Sequence, residues 1–243
     1  MKIILFADNE VGLKILEFLM KNFESDLQHV VTAKKNSIYR FAKKNKLKVS
    51  IYNDFIKLSN NLNFDYGILA WWPNIIPEAL ISKANKGFIN THPSLLPFNR
   101  GKHYNFWAIV EESPFGVSIH MVEKGIDTGP VIAQKEISYS WIDNGESLYF
   151  KAQIEMIKLF KKMYPDFRKN IFNKTIQDLS KGSYHNSYEL EIATKIDLNK
   201  KYLGKYLINL LRAKTFKGYQ GCWFEENDEK YEITVNINKI KNE

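Results

Sequence analysis

The chain has 243 residues, 44% of them hydrophobic, and a formal net charge of +8. That length fits one full-sized domain with a small appendage, and no apolar run is long enough to predict a membrane-spanning helix. A single cysteine, Cys222, excludes an intramolecular disulfide and a cysteine metal site, so the cytoplasm is the expected compartment.

Hydrophobic patterns over the first two thirds of the chain predict alternating strands and helices. The apolar run at residues 3–6 is typical of a strand buried on both faces, and Asp8 interrupts it too early for a signal peptide. Apolar residues then recur at helical spacing over residues 11–23. The further predicted elements are strand 29–32, helix 38–46, strands 49–52, 64–70 and 88–91, helix 104–112, strands 116–122 and 131–137, and helix 146–163, which Asp143 or Asn144 could cap. This alternation predicts an α/β fold with a Rossmann-like, mostly parallel sheet.

A polar stretch near residues 176–186 predicts a boundary between a main domain at 1–180 and a small C-terminal region at 181–243. That region should contain a helix at 203–213 and a β-hairpin with strands at 218–224 and 230–237. It is too small to bury a core of its own. We therefore expect it to pack on the main domain or to form a homodimer contact through exposed side chains of the hairpin, namely Tyr219, Trp223, Tyr231 and Ile233.

The polar residues with the clearest chemical meaning are Asn90, His92 and Asp127. Asn90 and His92 are two apart on a predicted strand, so their side chains point the same way, and Pro93 ends that strand. Asp127 lies between two glycines in a later loop. An amide, an imidazole and a carboxylate brought together would form a site for acyl transfer.

The pattern of Asn-x-His, Ser94 to Pro97, Arg100-Gly101 and Asp127-x-Gly resembles the folate-dependent formyltransferase family. The resemblance covers roughly residues 1–140. It implies the formyltransferase fold, a catalytic domain at 1–180, N10-formyltetrahydrofolate as co-substrate, and Asn90, His92 and Asp127 as catalytic residues. Asn90 would donate to the developing oxyanion, and Asp127 would raise the basicity of His92 or order a water. Whether His92 accepts a proton or stabilises the oxyanion stays open.

The same resemblance implies a pterin pocket with two walls. The walls would come from Trp72, Asn74, Ile75 and Ile76 on one side, and from Val122, Glu123, Lys124 and Gly125 on the other. Backbone polar groups between apolar walls suit a flat polar ring. A strand end with core tryptophans is the alternative for the first segment.

Residues 96–105 resemble the signature of the sugar N-formyltransferase branch, with Phe98 in place of a tyrosine and Tyr104 in place of a proline. The resemblance implies a nucleotide-linked aminodideoxysugar as acceptor, with dTDP-4-amino-4,6-dideoxyglucose the best choice, for the synthesis of surface polysaccharide such as O-antigen. Substrate-binding residues would then be Phe98, Asn99, Arg100, Lys102 and Asn105. His120, near the Asp127 loop, is expected to support the site.

Three alternatives remain open. Methionyl-tRNA formyltransferase would share the catalytic residues but needs a larger C-terminal region. Glycinamide ribonucleotide transformylase needs a phosphate loop after the first strand, where Asp8 and Glu10 would repel phosphate. A folate- or nucleotide-sugar-binding protein without activity is the third. We expect no nucleic-acid partner, no membrane partner and no metal, since no His, Asp or Glu grouping has metal-ligand spacing.

Overall fold

The structure is a computed structural model that describes residues 1–58 and 62–240. The helices are α1 (Asn9–Phe23), α2 (Ser37–Lys44), α3 (Tyr52–Leu58), α4 (Glu78–Ile81), α5 (Tyr104–Val110), α6 (Gly145–Phe167), α7 (Ser187–Thr194) and α8 (Gly204–Lys214). The strands are β1 (Ile3–Ala7), β2 (Leu27–Thr32), β3 (Val49–Ile51), β4 (Phe64–Ala70), β5 (Ala84–His92), β6 (Arg100–Gly101), β7 (Gly116–Met121), β8 (Val131–Glu136), β9 (Tyr184–His185), β10 (Cys222–Glu226) and β11 (Glu229–Ile233).

The main sheet has seven strands in the order β3-β2-β1-β4-β5-β7-β8. Its first five strands are parallel, in the order typical of a Rossmann-like fold, and β7 pairs with β5 in the antiparallel direction. Every residue of β1 is buried, which explains its unbroken apolar sequence. The predicted α/β fold with a mostly parallel sheet is confirmed.

The structure corrects several predicted elements. The hairpin is shorter than predicted, since β10 begins only at Cys222. Gly218, the predicted first residue of the strand, has a φ of +82°, which a strand residue does not adopt. Its strands join through Asn227 and Asp228, both with positive φ, as a two-residue hairpin turn requires. Of the two candidate caps for α6, Asn144 accepts the hydrogen bond from the Ser147 N–H at 2.9 Å. The elements absent from the prediction are α3, α4, α7, β6 and β9.

The chain forms two compact units. Unit 1 consists of Met1–His92, Ser118–Gln134 and Gln153–Gln177, and unit 2 consists of Pro93–Val117, Lys135–Ala152 and the chain from Asp178 onward. The predicted boundary after residue 180 lies close to the last passage into unit 2, but unit 2 also includes two earlier segments. A separate C-terminal domain at 181–243 stays a prediction, and its last three residues, 241–243, lie outside the described ranges.

Unit 1 is held together by an aromatic-rich core and by one buried charge. Phe6, Phe55, Phe64 and Phe88 are fully buried in one hydrophobic cluster. Asp26, 1% exposed, accepts hydrogen bonds from the Arg168 guanidinium at 2.9 and 3.0 Å and from the Tyr164 hydroxyl at 3.0 Å. This contact fixes the end of α6 to the turn before β2.

Unit 2 is organised around His185. The imidazole stacks on the Trp107 indole with ring centroids 4.0 Å apart, and its two nitrogens lie 2.9 Å from Glu111 and 2.8 Å from Glu189. Gly101 pairs with His185 between β6 and β9, and a Cβ at Gly101 would lie 2.3 Å from the His185 carbonyl oxygen. Only glycine therefore fits there, which accounts for the Arg-Gly pair of the sequence pattern.

Within the described ranges, no helix is long and apolar enough to cross a bilayer.

Candidate active site

The carboxyl end of β5 carries two of the three predicted catalytic residues. Asn90 and His92 alternate with Thr91, so they share one face of the strand, and they lie opposite His120 and Ser118 of β7. Thr91 turns to the other side, where its hydroxyl donates to the Leu69 carbonyl and accepts from the Trp71 N–H. Strand alternation thus directs the amide and the imidazole to the same place.

A strained loop after β7 carries the third residue. Asp127 has a φ of +54°, in the left-handed region that non-glycine residues rarely occupy. A Cβ at Gly129 would lie only 2.0 Å from the Met121 carbonyl oxygen, so the chain can pass there only as glycine. The Asp-x-Gly pattern therefore reflects a loop packed directly against the end of β7.

The structure brings Asn90, His92 and Asp127 into one cluster within unit 1. The His92 Nδ1 lies 3.4 Å from Asp127 Oδ2, and the Asn90 amide nitrogen lies 3.4 Å from Asp127 Oδ1. His92 is buried, while the Asp127 side chain is 14% exposed. The distances are those of loose hydrogen bonds, which can be exchanged for contacts to a ligand.

His120 sets the direction of the Asn90 amide. Its Nδ1 lies 2.8 Å from the Met121 carbonyl oxygen, which only accepts, so Nδ1 carries the proton. In the neutral ring, Nε2 is then an acceptor, and the Asn90 amide nitrogen lies 3.3 Å from it. The sequence interpretation gave His120 a supporting role, and the structure places it in direct contact with Asn90.

Gln177 is a site residue that the sequence interpretation missed. Its side-chain amide donates to the Asp127 carbonyl at 2.9 Å and to the Gly129 carbonyl at 2.7 Å. It lies fifty positions from Asp127 in an irregular segment, so neither periodicity nor motif spacing could have indicated it.

The residues predicted for the pterin pocket fall into two classes, all in unit 1. Ile76 belongs to the hydrophobic cluster, and Trp72 and Val122 pack against it. The ring centroid of Trp72 lies 5.5 Å from that of Phe6. Its indole N–H is buried without a hydrogen-bond partner among the described residues. The exposed members are Asn74, Ile75, Glu123, Lys124 and Gly125. Their contact with a pterin stays a prediction.

The residues predicted to bind substrate lie in unit 2. Asn99 is fully buried, has a φ of +52°, and donates to the Ser113 hydroxyl at 2.8 Å, so in this conformation it shapes a turn. Asn105 donates to the Gly145 carbonyl at 2.8 Å. Phe98 and Arg100 are half-buried, and Lys102 is exposed. Their predicted contacts with substrate remain untested predictions.

The cluster of Asn90, His92 and Asp127 offers acid-base and oxyanion chemistry through side chains. Across residues 1–58 and 62–240, no group of three or more His, Cys, Asp or Glu residues could hold a metal ion.

Comparison with protein families gives two matches. Residues 20–161, more than half of the chain, match the formyl transferase family. Residues 189–239 match the dimerization C-terminal domain of N-formyltransferases.

Individual relatives agree with this assignment. A crystal structure of a 4-N formyltransferase from Francisella tularensis superposes with a TM-score of 0.81 and 26% identity, covering 98% of both chains. The dTDP-4-amino-4,6-dideoxyglucose formyltransferase of Mycobacterium tuberculosis is 27% identical over 61% of this chain and 62% of its own length. Methionyl-tRNA formyltransferase of Thermodesulfovibrio yellowstonii is 35% identical over 49% of this chain.

The chain spans only 39% of that last relative and less than two thirds of the mycobacterial one. The family match itself extends over β5, which carries Asn90 and His92, over β7 and over the Asp127 loop. The predicted resemblance to the formyltransferases and their sugar N-formyltransferase branch is confirmed, and the chain belongs to the formyl transferase family.

Proposed function

We propose that the chain transfers the formyl group of N10-formyltetrahydrofolate to the amine of a nucleotide-linked aminodideoxysugar. The observation that carries the proposal is the contact of the Asp127 carboxylate with both Asn90 and His92 at the end of β5. Formyl transfer to an amine creates a transient oxyanion and requires one proton to move from the amine to the leaving N10, and these three side chains can serve both needs.

The three residues have different tasks in the reaction. The amine lone pair attacks the formyl carbon, and the carbonyl π electrons move to oxygen. In the absence of ligand, one N–H bond of the Asn90 amide points to Asp127 and the other to His120. One of these loose hydrogen bonds must therefore be replaced by a hydrogen bond to the oxyanion. The attacking amine loses a proton, with His92 and Asp127 as its route. When the intermediate collapses, the C=O bond re-forms, the bond between the formyl carbon and N10 breaks, N10 takes up a proton, and tetrahydrofolate leaves.

Direct transfer is favoured over an acyl-enzyme. Cys222 is buried, its thiol donates to the Leu210 carbonyl, and burial raises the pKa of the thiol to about 12. A thiol that stays protonated near neutral pH is a poor nucleophile.

A buried, unsatisfied donor in unit 2 supports an anionic acceptor substrate. Arg100 Nε is buried and has no hydrogen-bond partner among the described residues, and the same holds for the Trp107 indole nitrogen. Leaving such donors unpaired is costly, and a diphosphate oxygen is a suitable acceptor for a guanidinium. The net charge of +8 would favour the approach of such a substrate.

Two relatives guide the choice of sugar. The mycobacterial relative is named for dTDP-4-amino-4,6-dideoxyglucose, and the Francisella structure is named as a 4-N formyltransferase. We therefore propose dTDP-4-amino-4,6-dideoxyglucose as the acceptor and a role in surface polysaccharide (O-antigen) synthesis in the cytoplasm. The family match of residues 189–239 supports a homodimer.

One assay separates the proposed function from its alternatives. The protein is incubated with N10-formyltetrahydrofolate and, separately, with dTDP-, UDP- and GDP-aminosugars carrying the amine at carbon 3 or 4, with glycinamide ribonucleotide, and with charged methionyl-tRNA. We expect the dTDP 4-amino sugar to be preferred by at least about tenfold in kcat/KM, roughly 1.4 kcal/mol of discrimination. Formylation of methionyl-tRNA alone would refute the sugar acceptor, and binding without turnover would refute an enzyme.

A further inference from the structure

We propose that Gln177 is a positioning residue for formyl transfer, because its side-chain amide holds the backbone of Asp127 so that the carboxylate stays beside His92 and Asn90. The inference rests on the proposed function and adds a residue that lies outside the matched family region 20–161. Gln177 acts through Asp127, so it is not assigned any contact with substrate.

The geometry is that of a clamp on the loop. One nitrogen of Gln177 donates to the carbonyls on either side of Thr128, at 2.9 Å to Asp127 and at 2.7 Å to Gly129. Close by, the backbones of Val131 and Thr175 exchange two hydrogen bonds of 2.8 Å. The segment that ends at Gln177 therefore lies along the segment that follows Asp127, all within unit 1.

The orientation of the Gln177 amide is fixed by chemistry. Its two partners are carbonyl oxygens, which only accept, so the nitrogen must face them. The Gln177 Oε1 is left buried without a hydrogen-bond partner among the described residues. A buried, unpaired oxygen is unfavourable, which indicates that the two donations to the loop are what keep this side chain in place.

Asp127 needs such support because of its own conformation. A φ of +54° is unfavourable for an aspartate, and it persists only where the surroundings impose it. The carboxylate contacts to His92, Asn90 and His120 are long, at 3.4, 3.4 and 3.5 Å, and they hold the side chain. The shorter bonds from Gln177 hold the main chain of the loop itself.

The test is a double-mutant cycle. Gln177→Met keeps the length of the side chain and removes its donors, while Gln177→Glu keeps its shape but turns an acceptor toward the two carbonyls. We expect either change to lower kcat by about tenfold or more, with the KM of both substrates changed by less than about threefold. In an Asp127→Asn background, the same changes should lower kcat further by less than about twofold, because their route to the chemistry is already lost.

The matched control is Gln153→Ala, which removes another glutamine of unit 1 whose amide donates to Asn9 at 3.4 Å. It should leave kcat within about twofold of the parent. Equal losses from Gln177→Met in both backgrounds would mean that the residue acts only on general stability. That result, or a kcat unchanged by both Gln177 substitutions, would overturn the proposal.

A second readout keeps this inference separate from the proposed function. The NMR signals of the His92 ring are compared in ligand-free parent, Gln177→Met, Asp127→Asn and Gln153→Ala proteins. We expect the first two substitutions, and not the third, to move the His92 signals. If the parent formylates none of the acceptors, the proposed function fails while this comparison still decides on Gln177; unmoved His92 signals in Gln177→Met protein would sink the inference by itself.

Discussion

At the scale of single residues, we expect the proposed catalytic cluster to work only as a set. Asp127 contacts both Asn90 and His92, one through each carboxylate oxygen. Removing one leaves the remaining two without their alignment, so the effects of single substitutions should not add.

We predict that Asn90→Ala, His92→Ala and Asp127→Ala each lower kcat/KM by at least about a hundredfold, the usual scale for losing an oxyanion donor or a proton-transfer group. Steady-state assays on the preferred aminosugar nucleotide give the measurement, and circular dichroism checks the fold. Asn22→Ala, at an exposed amide that donates to its own helix, is the control. Near-normal turnover of the His92 variant would be incompatible with the mechanism.

The sequence allowed Asn90, His92 and Asp127 to be predicted as a set because strand alternation and two short motifs encode their spacing. His120 could be predicted only in part, since its contact with Asn90 depends on the antiparallel register of β5 and β7. Gln177 could not be predicted at all, because it reaches the loop through a fold contact that no local pattern records. Asn99 shows another limit of the sequence, because its residue type suits contact with a sugar but its side chain is buried in a turn in this structure.

At the scale of elements, two buried ionic contacts join helices to the rest of their unit. The first joins α6 to the turn before β2 through Asp26. Burial alone would raise the pKa of the Asp26 carboxyl, but hydrogen bonds from Arg168 and Tyr164 outweigh it, and the pKa lies below its ordinary 3.8. The stabilisation is therefore present above the unfolded pKa and is lost as the pH falls through the folded value.

We predict that Asp26→Asn lowers the free energy of unfolding by about 3 kcal/mol at neutral pH, because it leaves a guanidinium without its buried partner. Urea denaturation measures the change, and Glu24→Gln, at an exposed carboxylate of the same turn, is the control. The difference in the free energy of unfolding between parent and Asp26→Asn protein should narrow as the pH is lowered below the ordinary carboxyl pKa of 3.8. A gap that stays constant with pH would contradict this account.

The second contact joins α5, β9 and α7 through His185. Burial alone would lower the pKa of the imidazole, but Glu111 and Glu189 outweigh it, and the pKa lies above its ordinary 6.5. A raised pKa gives stabilisation that is complete below the unfolded pKa and is lost as the pH rises through the folded value.

We therefore predict that the difference in Tm between parent and His185→Gln protein is largest near about pH 6 and shrinks toward about pH 9. Thermal melts followed by circular dichroism at a series of pH values give this difference. His103→Gln, at a histidine whose pKa is lowered chiefly by burial, is the control and should not show the same trend. A pH-independent difference for His185→Gln would show that packing on Trp107, and not charge, is what His185 contributes.

The elements themselves could be predicted from the sequence where apolar residues form an unbroken run or a helical repeat over several positions. The strands of the parallel sheet and the helices α1 and α6 met that condition. Helix α7 did not, although Asn186 and Glu189 form a capping box at its start, a signal visible in the sequence. Strands β6 and β9 have two residues each, and only their pairing with one another makes them strands.

At the scale of the whole molecule, the exposed aromatic side chains of the C-terminal region support association. Tyr219 is 69% exposed and Tyr231 is 42% exposed, in a segment that matches a dimerization domain. We predict a homodimer by light scattering and analytical ultracentrifugation at assay concentrations. Tyr219→Ser and Tyr231→Ser together should weaken it, while Tyr188→Ser, at an exposed tyrosine just before the matched segment, should not. A parent protein that is monomeric at every concentration would exclude this assembly.

The order in which the chain builds its two units also limits how such a protein can be divided. The chain enters unit 2 at Pro93, leaves it after Val117, returns at Lys135, leaves after Ala152 and enters again at Asp178. A gene truncated after codon 180 would therefore encode β6 without β9, and Trp107 without the imidazole on which it stacks. In the same way, a single recombination event between two related genes cannot transplant unit 2 without parts of unit 1. An exchange that covers all of unit 2 also carries the two segments of unit 1 that lie between its parts, Ser118–Gln134 with the Asp127 loop and Gln153–Gln177, while β5 stays behind.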